Sequence, residues 1–144
     1  MTEVEQMGHN TILMAEDDPD DRFLMEQALL DIGNGADLCF VEDGEKLMDY
    51  LLRSGEYTDI TSSPRPTLIF LDLNMPRKEG RQALKEIKTD PGLNEIPVVI
   101  WTTSEVVEDR IFCKEAGAEA YLTKPADYTE LVELVKKMIE KYLR

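Results

Sequence analysis

The sequence predicts a doubly wound α/β domain, in which helices cover both faces of a five-stranded parallel sheet. Short apolar runs alternate along the chain with segments of helical periodicity. The first, third and fourth runs are continuously apolar, which indicates strands buried on both faces, as in parallel sheets. Polar residues directly follow four of the runs, where parallel strands bring their carboxyl ends to one edge.

Five apolar runs are predicted to be the strands of this sheet. Their lengths of three to five residues suit short buried strands. The runs are TILMA (11–15), DLCFV (37–41), TLIFL (67–71), VVIW (98–101) and AYL (120–122).

A helix is predicted after each strand, and most of its ends carry a recognisable signal. The first helix extends from about Pro19 to Ile32 and ends at Gly33 and Gly35. The third helix stops before the Asp-Pro-Gly turn at 90–92, and Pro76 with Gly80 predicts a tight turn ahead of it. The remaining signals are Ser104 as cap of helix four, Gly117 after its end, and Asp127 with Glu130 at capping-box spacing before helix five.

Apolar residues recur at helical spacing on one face of these segments, and this face is predicted to be buried. The inward residues are Met25, Ala28, Leu29 and Ile32 in helix one, Leu47, Tyr50 and Leu51 in helix two, Ala83, Leu84 and Ile87 in helix three, and Leu131, Leu134, Val135 and Met138 in helix five.

Length and charge exclude several classes of protein. The 144 residues suffice for one domain, predicted over 11–143 after a flexible tail over 1–10. The net charge of −14 opposes binding to nucleic acid or to an anionic membrane. The polar start does not resemble a signal peptide, and no apolar run approaches the roughly 20 residues that cross a bilayer, so a cytoplasmic location is expected. Cys39 and Cys113 are interpreted as reduced thiols, and His9 as a tail residue without a role.

Five polar residues are expected to converge at the carboxyl edge of the sheet. Glu16 and Asp17 follow the first strand, Asp72 the third, Thr102 the fourth and Lys124 the fifth. Two adjacent acids beside a buried strand repel each other and attract a cation, and their hard oxygen ligands suit Mg²⁺. The arrangement is typical of a metal-assisted phosphoryl site.

Each of these residues also has a purely structural interpretation. Acids at a helix start suit the macrodipole, which accounts for Asp18, Asp20 and Asp21 but not for Glu16 and Asp17. An Asp after a strand is often a loop residue or a cap, Thr102 is compatible with capping, and a lone lysine is normally solvated. A third carboxylate beside the first two favours function for Asp72, since a carboxylate can attack phosphorus and form an aspartyl phosphate.

Four segments carry a resemblance to a known family. EDD near the start, LDLNMP, WTTS and YLTKP resemble, in order and spacing, the receiver domains of two-component response regulators over about 11–143. The resemblance implies a flavodoxin-like sheet with strand order 2-1-3-4-5. The stretches EDGEKLMDYLLRSGEY and PRKEGRQALKEIK are similar to the small single-domain regulators of bacteriophytochrome-type kinases, as in cyanobacteria.

The resemblance implies an acceptor and a set of metal ligands. Asp72 would be the phosphoacceptor. Asp17 would bind Mg²⁺ directly, Glu16 through water and Asn74 through its backbone carbonyl, and Asp72 would complete the set. Mn²⁺ would be able to substitute for Mg²⁺.

The resemblance also implies which residues sense the phosphoryl group. Thr102 and Lys124 would contact its oxygens, and Tyr121 would be the aromatic switch that moves as Thr102 engages the phosphate. Its alternative is a half-buried strand tyrosine. Two residues depart from the family pattern. Glu16 stands where many receivers have Asp, which shifts the metal geometry, and Thr103 stands where small residues are common, which restricts access to the phosphate.

The implied function is that of a stand-alone response regulator. A sensor histidine kinase, of phytochrome type in the narrower resemblance, would transfer a phosphoryl group to Asp72. The donor histidine would belong to that partner. The signal would leave by contact with a downstream protein through helix four, strand five and helix five, without the chain being an enzyme. The amphipathic last helix is compatible with core packing or with a homodimer interface.

Three alternatives belong to other functional classes. A haloacid-dehalogenase-like phosphatase also uses an Asp nucleophile, but it requires an acid where this chain has Asn74. A flavodoxin-type carrier would share the fold, but the acidic loop at 16–21 would repel the flavin phosphate. A receiver-like module that is never phosphorylated is opposed by the complete residue set.

Trp101 is interpreted as a core residue.

Overall fold

The computed structural model describes residues 10–75 and 79–143. Its sheet confirms the predicted fold class: five strands, all pairs parallel, in the order β2-β1-β3-β4-β5. The tail residue His9 and the turn residue Pro76 lie outside the described residues. The strands are β1 (Thr11–Ala15), β2 (Asp37–Val41), β3 (Leu68–Leu71), β4 (Val98–Thr102) and β5 (Ala120–Thr123).

A helix follows each strand, as the periodicity predicted. A short 3₁₀ turn over Gly55–Tyr57 interrupts the long connection before β3. The helices are α1 (Pro19–Ile32), α2 (Gly44–Leu52), α3 (Gly80–Thr89), α4 (Val107–Ala116) and α5 (Tyr128–Tyr142).

Side-chain caps at four helix starts match the local sequence. The Asp18 carboxylate accepts the N–H of Asp20 at the start of α1, and the Asp127 carboxylate accepts the N–H of Glu130 at the start of α5. Asp43 and Glu79 cap α2 and α3 in the same way. Gly117 ends α4 with a φ of 105°, a left-handed conformation that favours glycine.

The prediction that Ser104 caps α4 is wrong. The helix begins three residues later, at Val107, and its N-cap is Val106, which makes no side-chain capping bond. The Ser104 hydroxyl instead accepts the N–H of Val106 at 3.3 Å and donates to the carboxylate of Asp109 at 2.7 Å. Ser104 therefore organises the loop ahead of the helix.

Alternate residues of the central strands supply two separate cores. On one face, Leu13 and Ile69 pack beneath α2, α3 and α4. On the other, Met14, Phe70 and Trp101 pack beneath α1 and α5, and the Phe70 and Trp101 rings meet edge to face at 5.7 Å. Burial on both faces explains the continuous apolar runs and confirms the core position of Trp101.

The predicted inward faces of the helices are buried, with small differences. Ile32, Leu134 and Met138 are half-buried at the margin of the core, whereas Ile139, which was not predicted, is buried. Cys113 is buried and Cys39 half-buried, and both are free thiols. Within the described ranges, no helix has the length and apolar character required to cross a membrane.

Gly80 allows α3 to begin directly against the segment that follows β3. Its N–H donates to the Leu73 carbonyl at 3.0 Å. A Cβ at this position would lie 2.3 Å from the Asp72 carbonyl oxygen and 2.6 Å from the Leu73 Cα. Both are backbone atoms, so no side-chain rotation relieves the clash.

We expect Gly80→Ala to displace this segment and to lower the free energy of unfolding by about 1–3 kcal/mol. The matched control is Gly92→Ala, where the nearest atom is a flexible carboxylate oxygen of Asp90 at 3.2 Å. Urea denaturation measures both. Equal midpoints for the two variants would contradict the close approach.

Candidate functional site

The ends of β1, β3 and β5 carry three charged residues to the same edge of the sheet. The sheet hydrogen bonding continues one residue past each strand, which fixes the backbone of each charged residue. The bonds run from Glu16 N–H to the Val41 carbonyl (2.9 Å), from Asp72 N–H to the Ala15 carbonyl (3.2 Å) and from Lys124 N–H to the Thr102 carbonyl (2.8 Å).

The ammonium of Lys124 lies at the centre of this edge and contacts three carboxylates. Its Nζ is 2.6 Å from Glu16 Oε1, 2.7 Å from Asp21 Oδ2 and 3.2 Å from Asp72 Oδ2. The side chains of Glu16 and Asp72 are 1% and 7% exposed, whereas that of Asp21 is 26% exposed. One cation therefore compensates two buried acids and one partly exposed acid.

Burial and the neighbouring charges shift the pKa values of Glu16 and Lys124 in this cluster. The pKa of Glu16 is raised to about 7, mainly by burial and in part by the charge of Asp72, against the opposing hydrogen bond from Lys124. Burial alone would lower the pKa of Lys124, but its hydrogen bonds to Asp21 and Glu16 and the charge of Asp72 raise it above its usual value. Lys124 is therefore a permanent cation.

Glu16, Asp17 and Asp72 form a group that fits a divalent cation. One carboxylate oxygen from each lies within 4.8 Å of the others. Hard oxygens with an exposed side, here provided by Asp17, suit Mg²⁺ or Mn²⁺. Asn74 is exposed beside them, and its N–H donates to Asp72 Oδ1 at 3.2 Å. The sequence-predicted acids thus lie together.

Thr102 lies at the end of β4 and is fully buried. Its Oγ1 accepts the N–H of Ser104 at 3.3 Å, which orients the hydroxyl within the loop that leads to α4. Thr103, the residue that departs from the family pattern, is exposed. It does not share the burial of its neighbour.

Tyr121 in β5 contacts the same loop. Its hydroxyl donates to the Ser104 carbonyl at 3.0 Å, and the Arg110 guanidinium lies 4.7 Å from the ring centroid. Through Ser104, the loop therefore joins Thr102 to Tyr121. The ring is half-buried, as the structural interpretation of the sequence also expected.

An ion pair between α3 and α4 was not predicted. Arg81 Nε and Nη2 donate to the two carboxylate oxygens of Asp109 at 2.7 and 2.6 Å, and Nη1 donates to Glu79. Asp109 Oδ2 also accepts the Ser104 hydroxyl. The hydrogen bonds from Arg81 hold the pKa of Asp109 below its usual range, and that from Ser104 adds to the effect. This network anchors the loop that holds Thr102.

Asp21 is the residue of the charged cluster that sequence reasoning missed. Its position in the first helical turn was explained by the macrodipole, and this explanation hid its second role. The sequence does indicate this role indirectly: residues 16–21 contain more acids than the one carboxylate, that of Asp18, which caps α1. A cation 103 residues later in the chain compensates this excess.

A comparison with protein families matches residues 12–136 to the response regulator receiver domain. In sequence, the chain is 41% identical over 125 residues to the response regulator Rcp1 of Synechocystis sp. The aligned region covers 87% of this chain and 83% of Rcp1.

Solved structures match over nearly the whole chain. The phosphorylated cyanobacterial phytochrome response regulator RcpA matches with a TM-score of 0.86 and 38% identity, over 93% of this chain and 94% of RcpA. The Mn²⁺-bound form of Rcp1 matches with a TM-score of 0.84 and 38% identity, over 94% and 95% of the two chains.

We expect Lys124→Met to lower the free energy of unfolding by about 2–4 kcal/mol in metal-free buffer, because the buried carboxylates lose their cation. Adding Glu16→Gln to this variant removes one of the repelling charges and should restore part of the loss. Urea denaturation in a chelating buffer measures both. If Lys124→Met is as stable as the exposed control Lys136→Met, the cation does not hold the cluster together.

The Arg81–Asp109 pair should give an acid-dependent contribution to stability. Because the folded-state pKa of Asp109 is depressed, its contribution is present above the unfolded pKa of about 4 and is lost as the pH falls through the folded value. Arg81→Gln should therefore cost roughly 1–2 kcal/mol at pH 7 and progressively less below pH about 4.

Thermal unfolding at a series of pH values measures this difference. The control is Arg65→Gln, since Arg65 donates to the uncharged carbonyl of Gly92 at 2.9 Å and its contribution should not vary with acid. A cost of Arg81→Gln that is constant with pH would show that the ion pair does not stabilise the fold.

Proposed function

This chain belongs to the response regulator receiver family, whose members accept a phosphoryl group in two-component signalling, and on that premise we propose that Asp72 is the acceptor. The observation that carries the proposal is the contact of the Lys124 ammonium with Asp72, beside a three-carboxylate group that fits a divalent cation. We propose that the receiver domain extends over residues 11–143.

The proposed reaction is an in-line displacement at phosphorus. A carboxylate oxygen of Asp72 attacks the phosphorus of a phosphohistidine whose other ring nitrogen is protonated. The P–N bond breaks, its electron pair stays on the ring nitrogen, and neutral imidazole leaves. The product is an acyl phosphate on Asp72. The N–H of Asn74 and the ammonium of Lys124 orient the two Asp72 oxygens before attack, at 3.2 Å each.

Charge on the transferred group requires compensation at this acidic edge. Lys124 and the hydroxyl of Thr102 are proposed to contact the phosphoryl oxygens. Asp17, Glu16 through water, Asp72 and the Asn74 carbonyl would hold Mg²⁺, for which Mn²⁺ can substitute. When bound, this cation supplies positive charge that neutralises the phosphoryl oxygens.

The modified Asp72 is proposed to act through the loop between β4 and α4. Thr102 bonds to Ser104, and Ser104 accepts from Tyr121, so movement of Thr102 toward a phosphoryl oxygen would change what Tyr121 contacts. The exposed apolar residues Val107 and Ile111 on α4 support a docking role for the surface formed by α4, β5 and α5.

We propose a switch rather than a turnover enzyme. Asn74, two residues after the acceptor, lacks the carboxylic acid that would protonate a leaving alcohol and then activate water. Hydrolysis of the acyl phosphate returns Asp72 to its resting state. The likeness to phytochrome response regulators supports a phytochrome-type histidine kinase as donor, with the reacting histidine on the kinase.

Intact-mass spectrometry after incubation with acetyl phosphate and Mg²⁺ tests the proposed acceptor. We expect the wild-type chain to gain one phosphoryl group and Asp72→Asn to gain none, since the amide is not a nucleophile. Asp17→Asn should slow the gain by at least about tenfold, because it removes a cation ligand. A phosphorylated phytochrome-type kinase as donor extends the test to the partner.

The control is Asp20→Asn, the same chemical change at an exposed residue outside the metal-ligand group. It should be phosphorylated at the wild-type rate. A phosphoryl gain that persists in Asp72→Asn, or its absence from the wild-type chain, would exclude Asp72 as the acceptor.

A further inference from the structure

We propose that Asp21 is a positioning residue that weakens the affinity of this site for the phosphoryl group by holding the ammonium of Lys124. The inference rests on the proposed function of Asp72 and Lys124. In this proposal, a residue in the first turn of α1 influences how readily Asp72 gains and loses the phosphoryl group.

The first observation is the distribution of the three Lys124 contacts. Nζ is closer to Asp21, at 2.7 Å, than to the acceptor Asp72, at 3.2 Å. An ammonium has three N–H donors and no more. The two shorter contacts of the ammonium are with Glu16 and Asp21, and its longest contact is with the acceptor Asp72.

The second observation separates Asp21 from the cation ligands. The oxygens that lie within 4.8 Å of one another belong to Glu16, Asp17 and Asp72, and Asp21 is not among them. Among the charged residues of the site that the structure describes, Asp21 contacts Lys124. Its charge therefore acts on the phosphoryl group without contributing a ligand to the cation.

The third observation concerns which carboxylate is able to release Lys124. Glu16 is 1% exposed, so without its ammonium partner it would be a buried unpaired charge. Asp21 is 26% exposed, and water is able to solvate it when the ammonium moves. Asp21 is thus the partner that exchanges with an incoming phosphoryl oxygen at the lower cost.

Charge arithmetic sets the sign of the effect. Among the residues that the structure describes, four carboxylates of the site stand against one ammonium, and this surplus of negative charge opposes entry of a dianionic phosphoryl group. Neutralising Asp21 removes one of these charges and frees Lys124 for the phosphoryl oxygen. Both effects strengthen binding of an anionic group at Asp72.

The test compares Asp21→Asn with Asp21→Glu and with Asp20→Asn, a neighbouring carboxylate in the same helical turn. Beryllofluoride, a phosphoryl mimic, is titrated in saturating Mg²⁺ and followed by calorimetry, with Trp101 fluorescence as a second signal. Mg²⁺ is titrated separately. We expect Asp21→Asn to bind beryllofluoride about 3–10-fold more tightly and Mg²⁺ within about twofold of wild type.

The control variants separate positioning from general charge. Asp21→Glu keeps the carboxylate and should retain an affinity nearer to that of wild type, and Asp20→Asn should match wild type. An unchanged or weaker affinity in Asp21→Asn overturns the proposal. So does an equal gain in Asp20→Asn, because net charge alone would then explain it.

Failure of the proposed function has a different signature. In that case no variant, the wild-type chain included, binds beryllofluoride or gains a phosphoryl group from acetyl phosphate, and the role of Asp21 falls with it. If the wild type does bind the mimic and only the Asp21 effect is missing, the acceptor assignment stands and the positioning role alone is overturned.

Discussion

The candidate site depends on one constraint: within the described part of the chain, one ammonium compensates several carboxylates at the carboxyl edge of the sheet. Lys124 contacts Glu16, Asp21 and Asp72, and it thereby joins the segments that follow β1, β3 and β5. Without the cation, the two buried acids would be unpaired in a region of low polarity. The geometry of the edge is therefore held by these ion pairs as well as by backbone hydrogen bonds.

The same constraint makes the edge favourable for binding a cation but costly for the stability of the fold. The acids exceed the cation that they contact, and burial favours the protonated form of Glu16. A group of this kind would gain from additional positive charge, which a divalent cation would supply. The reactivity proposed for Asp72 and the cost of assembling the cluster would have the same electrostatic origin.

Sequence reasoning predicted the parallel sheet and the meeting of four charged residues at its edge, which are Glu16, Asp17, Asp72 and Lys124. Apolar periodicity and the ends of strands can be recognised locally in the sequence. In a parallel sheet the carboxyl ends of the strands lie at one edge, so the residues that follow them come close together. Sequence reasoning missed the Arg81–Asp109 pair, since nothing local links residues 28 positions apart on different helices. It mistook Ser104 for a cap because a hydroxyl ahead of a helix has several acceptors and donors within reach. Apolar periodicity predicts which face of an element is buried, but the sequence does not predict which partner a long polar side chain contacts.

The division of the sheet into two cores gives β4 an unusual position. Trp101 faces the layer of α1 and α5, whereas the next residue, Thr102, bonds to the loop that leads to α4 and, through it, to Tyr121. We therefore expect a shift at the end of this one strand to affect both layers of the domain. Trp101 is the one tryptophan of the sequence, so its fluorescence would report a shift at this strand end from the side of α1 and α5.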